Sequence, residues 1–230
     1  MKTIVIASPH KRNSHIEEYL RVSHKDWNIH HITEKSSLSK YKLQTIKPDW
    51  VFFPHWSWII PDEILLSYKC VIFHMTDLPF GRGGSPLQNL IVKGYKKTKI
   101  SAIECSKELD AGKIYDKADL SLSGTAEDIL FRASHIIQDM ILNIIKKDLK
   151  ALPQEGDITN FIRRKPVQSD ISNLSEAEKI YDHIRMLDAE GYPNAFIENS
   201  NFHISFKEAI NLGNSIEAKA IITMKTKDEE

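Results

Sequence analysis

Short apolar runs rich in β-branched and aromatic residues recur along the first half of this chain, at TIVIAS (3–8), DWVFFP (49–54) and CVIFHM (70–75). A strand that is apolar along its length needs cover on both faces, so these runs suit strands buried inside a sheet flanked by helices. Helical patterns fall between and after them. Ser14–Val22 places Ile16, Tyr19 and Leu20 at i, i+3, i+4 spacing, and residues 61–68 open on Pro61 as a short helix. Trp27–Ile32 alternates weakly as a second strand, Asp49–Pro54 is a third stopped by Pro54, and Tyr68–Met75 is a fourth. A glycine loop and a helix from about Pro86 to Val92 follow, then a strand at Lys99–Cys105 and a turn at Asp110-Ala111-Gly112. The cleanest helix opens at Thr125, with Asp128 three residues on in the manner of a capping box. Its stripe is Ile129, Leu130, Ala133, Ile136, Ile137, Met140, Ile141 and Ile144. Strands alternating with helices predict an α/β domain with a mostly parallel sheet over 1–155. Beyond Leu152-Pro153 the texture changes. A helix at Ser175–Leu187, a turn at GYPNAF and strands at 202–206 and 216–224 predict a small C-terminal α+β extension over 156–230, ending in a frayed tail, KTKDEE.

Composition bounds the function. Thirty-one basic and 31 acidic residues leave a formal net charge of zero, which argues against a broad nucleic-acid surface. Cys70 and Cys105 both lie in apolar strand-like runs and read as small core residues in a reducing compartment, a disulfide being the lesser alternative. No apolar run approaches a membrane span and MKTIVIASPH is too quickly polar for a signal peptide, so a cytoplasmic protein with no membrane partner is expected.

Ligands of open α/β sheets bind beyond the carboxyl ends of the strands. His74 stands at that end of the fourth strand and Asp110 follows the fifth, so the sheet can bring an imidazole and a carboxylate together. Such a pair can manage a proton or stabilise a developing oxyanion. A core histidine beside an ordinary Asp-x-Gly turn is the competing account. Gly81-Arg82-Gly83-Gly84-Ser85 leads into a helix and offers backbone N–H groups to an anion, yet it is neither a P-loop nor a dinucleotide fingerprint. His55-Trp56-Ser57-Trp58-Ile59-Ile60-Pro61 lies just past the third strand, where its tryptophans wall a flat ring or simply pack a corner. Adjacent His30 and His31 point to opposite faces of a strand, and His10, His15 and His24 have no partner at ligand spacing, so no metal is expected.

Together these segments resemble the formyltransferases that use N10-formyltetrahydrofolate. The family motif N-x-H-x-S-L-L-P-x-x-R-G-x-x-P is matched by His74, Thr76, Leu78, Pro79, Arg82, Gly83 and Pro86, and its L-D-T-G motif by Leu109-Asp110-Ala111-Gly112. The upstream segment is matched by Ser57-Trp58-Ile59-Ile60-Pro61. Downstream, RRKPVQSDI (163–171) and IYDHIRMLDAEGYPNAFI (180–197) are similar to sugar N-formyltransferases. The resemblance implies a Rossmann-like catalytic domain and N10-formyltetrahydrofolate as formyl donor. The acceptor it implies is the amine of a nucleotide-linked deoxyamino sugar, for surface-glycan synthesis. It implies catalytic roles for His74, Asp110 and Thr76, and donor binding by Ser57, Trp58, Ile59, Ile60, Leu109, Asp110, Ala111 and Gly112. Asp77, Arg82, Gly83, Gly84, Arg163 and Arg164 become candidates for the acceptor, and a homodimer built by 175–224 is compatible with it. The family's asparagine two residues before the histidine falls on Ile72, which cannot donate a hydrogen bond. His74 itself, Thr76, His55 or an N–H of 81–84 are the candidate replacements. Another amine, a ribonucleotide or methionyl-tRNA, stays open as acceptor, though the tRNA enzymes' longer basic C-terminal domain argues against the latter. A non-catalytic folate- or nucleotide-binding protein is the alternative of a different class.

Overall fold

The apolar runs become strands in the computed structural model, which describes residues 1–225; positions 226–230 of the KTKDEE tail lie outside the described residues. In chain order the elements are β1 (Thr3–Ala7), α1 (Ser14–Ser23), β2 (Asn28–Ile32), α2 (Lys40–Ile46), β3 (Trp50–Phe53), α3 (Asp62–Leu65) and β4 (Cys70–His74). Then come β5 (Arg82–Gly83), α4 (Pro86–Val92), β6 (Lys97–Glu104), β7 (Ile114–Ser121), α5 (Ala126–Lys146) and β8 (Asn160–Phe161). The chain closes with α6 (Ala177–Arg185), β9 (Ala195–Glu198), β10 (Phe202–Asn211) and β11 (Ile216–Met224). Two compact units interleave along it, where the sequence reading drew one cut after residue 155. One takes 1–83, 98–120 and 130–160; the other takes 84–97, 121–129 and the chain from 161 on.

The first unit carries a sheet of order β2-β1-β3-β4-β6-β7. β1 pairs parallel with β2 and β3, and β3 with β4, while β6 runs antiparallel to β4. The sheet is thus mostly parallel, as expected. Alternate residues go to opposite faces: Val5, Ala7, Val51, Phe53 and Cys70 pack with Leu43, Trp56, Ile60 and Ile64. Their neighbours Ile4, Ile6, Phe52 and Val71 are equally shut off from solvent. Cover on both faces is what made these runs continuous in sequence. Among the elements of this unit, α2 and β7 went unread, and β5 was read as part of a loop. α2 buries only Leu43, so no stripe announces it, and β7 is a mixed-polarity strand at the sheet edge.

In the second unit β10 pairs antiparallel with β9 and β11 and packs against α6. β10 is longer than the expected 202–206 because an irregularity between Lys207 and Ile210 lets pairing resume beyond it. α6 buries Arg185, whose guanidinium is held by Asp182 at 2.6 Å and by the carbonyls of Leu122 and Gly124 at 2.7 and 2.9 Å. The first turn of α5 lies here too. Its cap forms reciprocally, Thr125 N–H donating to Asp128 Oδ2 (2.9 Å) and Asp128 N–H to Thr125 Oγ1 (3.2 Å). Among the described residues no helix is long and apolar enough to cross a membrane.

Candidate active site

His74 ends β4, paired with Ser101 of β6, and is 8% exposed. The chain beyond it is tied back by Ser101, whose hydroxyl donates to the Thr76 carbonyl (2.7 Å) and accepts from the Leu78 N–H (3.3 Å). That return brings the Gly81 carbonyl to 2.8 Å from His74 Nε2. A carbonyl oxygen only accepts, so Nε2 carries the hydrogen. Thr76 Oγ1 donates to the same carbonyl at 3.3 Å. On the other side of the ring, Nδ1 lies 3.4 Å from Asp110 Oδ2. The structure therefore brings together the two side chains that spacing had only paired on paper.

Asp110 itself adopts φ +54°, a left-handed conformation unusual for a residue with a side chain. Several contacts hold it there. Its Oδ2 accepts the Gly83 N–H at 2.9 Å, and Gln154 Nε2 donates to the carbonyls of Asp110 and Gly112, both at 2.8 Å. Gly112 is required by close approach, because a Cβ there would stand 1.7 Å from the Glu104 carbonyl oxygen. Neither Gln154 nor Ser101 was found from sequence; both act through hydrogen bonds to distant backbone, and no local pattern marks such a partner.

The glycine loop is not an open anion cradle. Gly81 N–H donates to Thr159 Oγ1 (2.7 Å), Arg82 N–H to the Thr159 carbonyl (3.0 Å), Gly83 N–H to Asp110 and Gly84 N–H to the Phe161 carbonyl (3.1 Å). These donors are spent within the chain. Arg82 is buried, its guanidinium donating to Gln154 Oε1 at 2.8 and 3.2 Å and standing 3.4 Å from Glu108. Asp77 binds Lys117 and Lys99 (3.2 Å). Burial pushes its carboxyl up, but hydrogen bonds from the two lysines outweigh this and hold it below the usual carboxylate range. Arg163 and Arg164 belong to the second unit. A Cβ on Gly84 would meet Arg163 Cβ at 2.5 Å, and Arg164 donates to the Gln168 carbonyl at 2.6 Å. Desolvation pulls the Arg164 guanidinium below its ordinary value.

The segment after β3 divides its tryptophans. Trp56 is buried against Phe53, and Trp58 packs edge-on to Trp56 with ring centroids 4.8 Å apart. Ile60 is buried and Ile59 is 91% exposed. Leu109, in the other expected donor segment, is also exposed, and an ion pair between Asp62 and Lys107 (3.0 Å) ties the two segments together. Ile72, Trp58 and Cys105 border the same apolar cluster. Ile59 and Leu109 thus present apolar side chains to solvent on two segments joined by that ion pair. His55, at φ +52°, accepts on Nδ1 from Asn13 Nδ2 (3.3 Å). Burial, then the charges of Arg12 and His10, push its pKa down to about 3. The cysteines are free thiols; burial pushes Cys70 up to about 12 and Cys105 well above its ordinary value. Among the described residues no His/Cys/Asp/Glu group could hold a metal ion.

The fold is that of the formyltransferases, and the chain belongs to that enzyme family. The relative that shows it is a solved chain described as methionyl-tRNA formyltransferase from Clostridium thermocellum. It is 48% identical, with a TM-score of 0.95, over 98% of this chain and 100% of that one. Residues 166–223 match the family model for the methionyl-tRNA formyltransferase C-terminal domain. A methionyl-tRNA formyltransferase from Bacillus pumilus is 27% identical over 177 residues, 73% of this chain and 55% of that protein. The chain thus spans little more than half the length of that curated relative. A Shewanella sugar N-formyltransferase, at 15% identity and TM-score 0.69 over 99% of this chain and 100% of that one, shares the fold.

Two expectations are corrected here. The sugar acceptor read from 163–171 and 180–197 gives way, because 166–223 matches the tRNA enzymes' domain model and the 48% relative carries their name. The exclusion of a nucleic-acid partner falls with it, since that name specifies a tRNA. Chain length was no obstacle either, as the Clostridium chain is spanned in full.

Proposed function

We propose that the protein transfers a formyl group from N10-formyltetrahydrofolate to the α-amino group of methionyl-tRNA. The observation that carries the reading is the end-to-end likeness to the Clostridium chain. Held at Trp58, Ile59 and Leu109, the folate would supply an activated formyl group. The neutral amine would attack the formyl carbon, negative charge gathering on the formyl oxygen; the carbonyl re-forms as the bond to folate N10 breaks, and the proton given up by the amine ends on N10. His74 Nε2–H is the donor for that oxygen, which replaces the Gly81 carbonyl as acceptor. Asp110 orients the ring from the opposite side and compensates positive charge that builds on it. Ile72 contributes no donor, so in this reading the charge falls chiefly to His74, whose Nε2–H turns from the Gly81 carbonyl to the formyl oxygen. Aminoacyl-tRNA and reduced folate meet in the cytoplasm, which is where the reaction would run.

The test is incubation with N10-formyltetrahydrofolate and methionyl-tRNA, followed by mass analysis of the released amino acid. Formyl-methionine, absent with His74→Asn, is the expected product. Tight folate binding with no formylated methionine at stoichiometric enzyme would overturn the reading, as would a nucleotide amino sugar being formylated in its place.

A further inference from the structure

Gln154 belongs to no motif, yet it makes more of the site's hydrogen bonds than any other side chain there. Its amide hydrogens go to the carbonyls of Asp110 and Gly112, both at 2.8 Å. Its Oε1 accepts from Arg82 Nε and Nη2 at 3.2 and 2.8 Å. Carbonyls only accept and a guanidinium only donates, so the amide has one permitted orientation; flipped, every contact would be repulsive. The base of the side chain is anchored as well. Leu152, two residues before it, exchanges backbone hydrogen bonds with Ile114 at 2.8 and 2.9 Å.

We infer that Gln154 is a positioning residue for the formyl transfer proposed above, clamping the 110–112 turn so that the Asp110 carboxylate stays against His74 Nδ1. The clamp acts on both supports of that carboxylate. It grips the backbone of Asp110, whose left-handed φ is unfavourable for a residue with a side chain and needs an external restraint. It also grips Arg82, the residue before Gly83, and Gly83 N–H is the other ligand of Asp110 Oδ2. Without the two amide hydrogens the turn relaxes toward ordinary φ, and the carboxylate leaves the imidazole. The fold has no other need of Gln154: it is half-buried, and its polar contacts all run to this turn and to Arg82.

Two substitutions separate positioning from simple bracing. Gln154→Glu keeps an acceptor for Arg82 and removes both donors, whereas Gln154→Met keeps the length and removes all polarity. Each is compared with wild type by steady-state kinetics, thermal melting and the ring 15N spectrum of His74 at one pH. The expected result is a fall in kcat of about 10²-fold, the scale of a misplaced catalytic group, with KM for the folate within about 3-fold. The His74 ring signals should move to where Asp110→Asn puts them. Ring signals identical to wild type in either folded variant, or an unchanged kcat, would overturn the inference. Should Gln154→Glu fail to fold, Gln154→Met decides by the same criteria. If wild type formylates no methionyl-tRNA, the functional reading fails, and the 15N comparison still decides the clamp.

Discussion

Each ring nitrogen of His74 meets a different acceptor, a carbonyl on Nε2 and a carboxylate on Nδ1, so the plane of the ring is held from both sides. Asp110→Asn keeps the size of that partner and removes its charge. Turnover should fall about 10²- to 10⁴-fold, the range for a disabled general acid–base group, while the thermal midpoint stays close to wild type; stopped or steady-state assays with methionyl-tRNA check it. His55 gives a second test, on stability. Its folded-state pKa, about 3, lies below the ordinary histidine value of 6.5. Between those values the unfolded chain binds the proton and the folded chain does not. The stability is therefore fully present above pH 6.5 and is lost as pH falls toward 3, by up to about 1.4 kcal/mol per pH unit from this group. Urea midpoints from pH 7 to 4.5 should fall, and His55→Gln should flatten the slope. His74 and Asp110 were legible through the family motifs they match, because a strand-end histidine and an Asp-x-Gly turn by themselves left an ordinary core histidine as the competing account. Gln154 and Asn13 were not, because each answers a backbone or ring atom far away in sequence.

Among the elements, α5 was read almost to its ends, since its stripe and its cap are written within one segment. Thr125→Ala removes the Oγ1 that accepts the Asp128 N–H and should cost about 1 kcal/mol in urea denaturation, with activity retained. The turn after β6 is less forgiving. Gly112→Ala drives a Cβ into the Glu104 carbonyl, so the backbone must move. A loss of about 2–4 kcal/mol is expected together with most of the activity, because the displaced carbonyl is one that Gln154 holds. α2 and β7 show the converse. A helix burying one leucine and an edge strand of mixed polarity have no periodic signal, and packing against the sheet decides them.

For the molecule as a whole, a net charge of zero suggested no nucleic-acid partner, but a global sum does not describe a local surface. Arg163 and Lys165 are exposed, whereas the Arg164 guanidinium is engaged by the Gln168 carbonyl. With methionyl-tRNA as acceptor, the double variant Arg163→Glu/Lys165→Glu should raise KM for the tRNA about 10-fold or more at low salt and lessen its salt dependence, leaving kcat near wild type. An unchanged KM and salt slope would show that these cations face only solvent. From sequence alone came the mostly parallel sheet, its doubly covered strands, the capped helix and the imidazole–carboxylate pair. Each depends on residue period, caps or turn residues within a short stretch, where local sterics and burial dominate. Only the tertiary structure decided that the glycine loop spends its N–H groups internally, that Arg82 serves Gln154, and that one glutamine holds the 110–112 turn. Those partners lie dozens of residues apart, and packing selects them by bringing unsatisfied donors and acceptors to the same buried place.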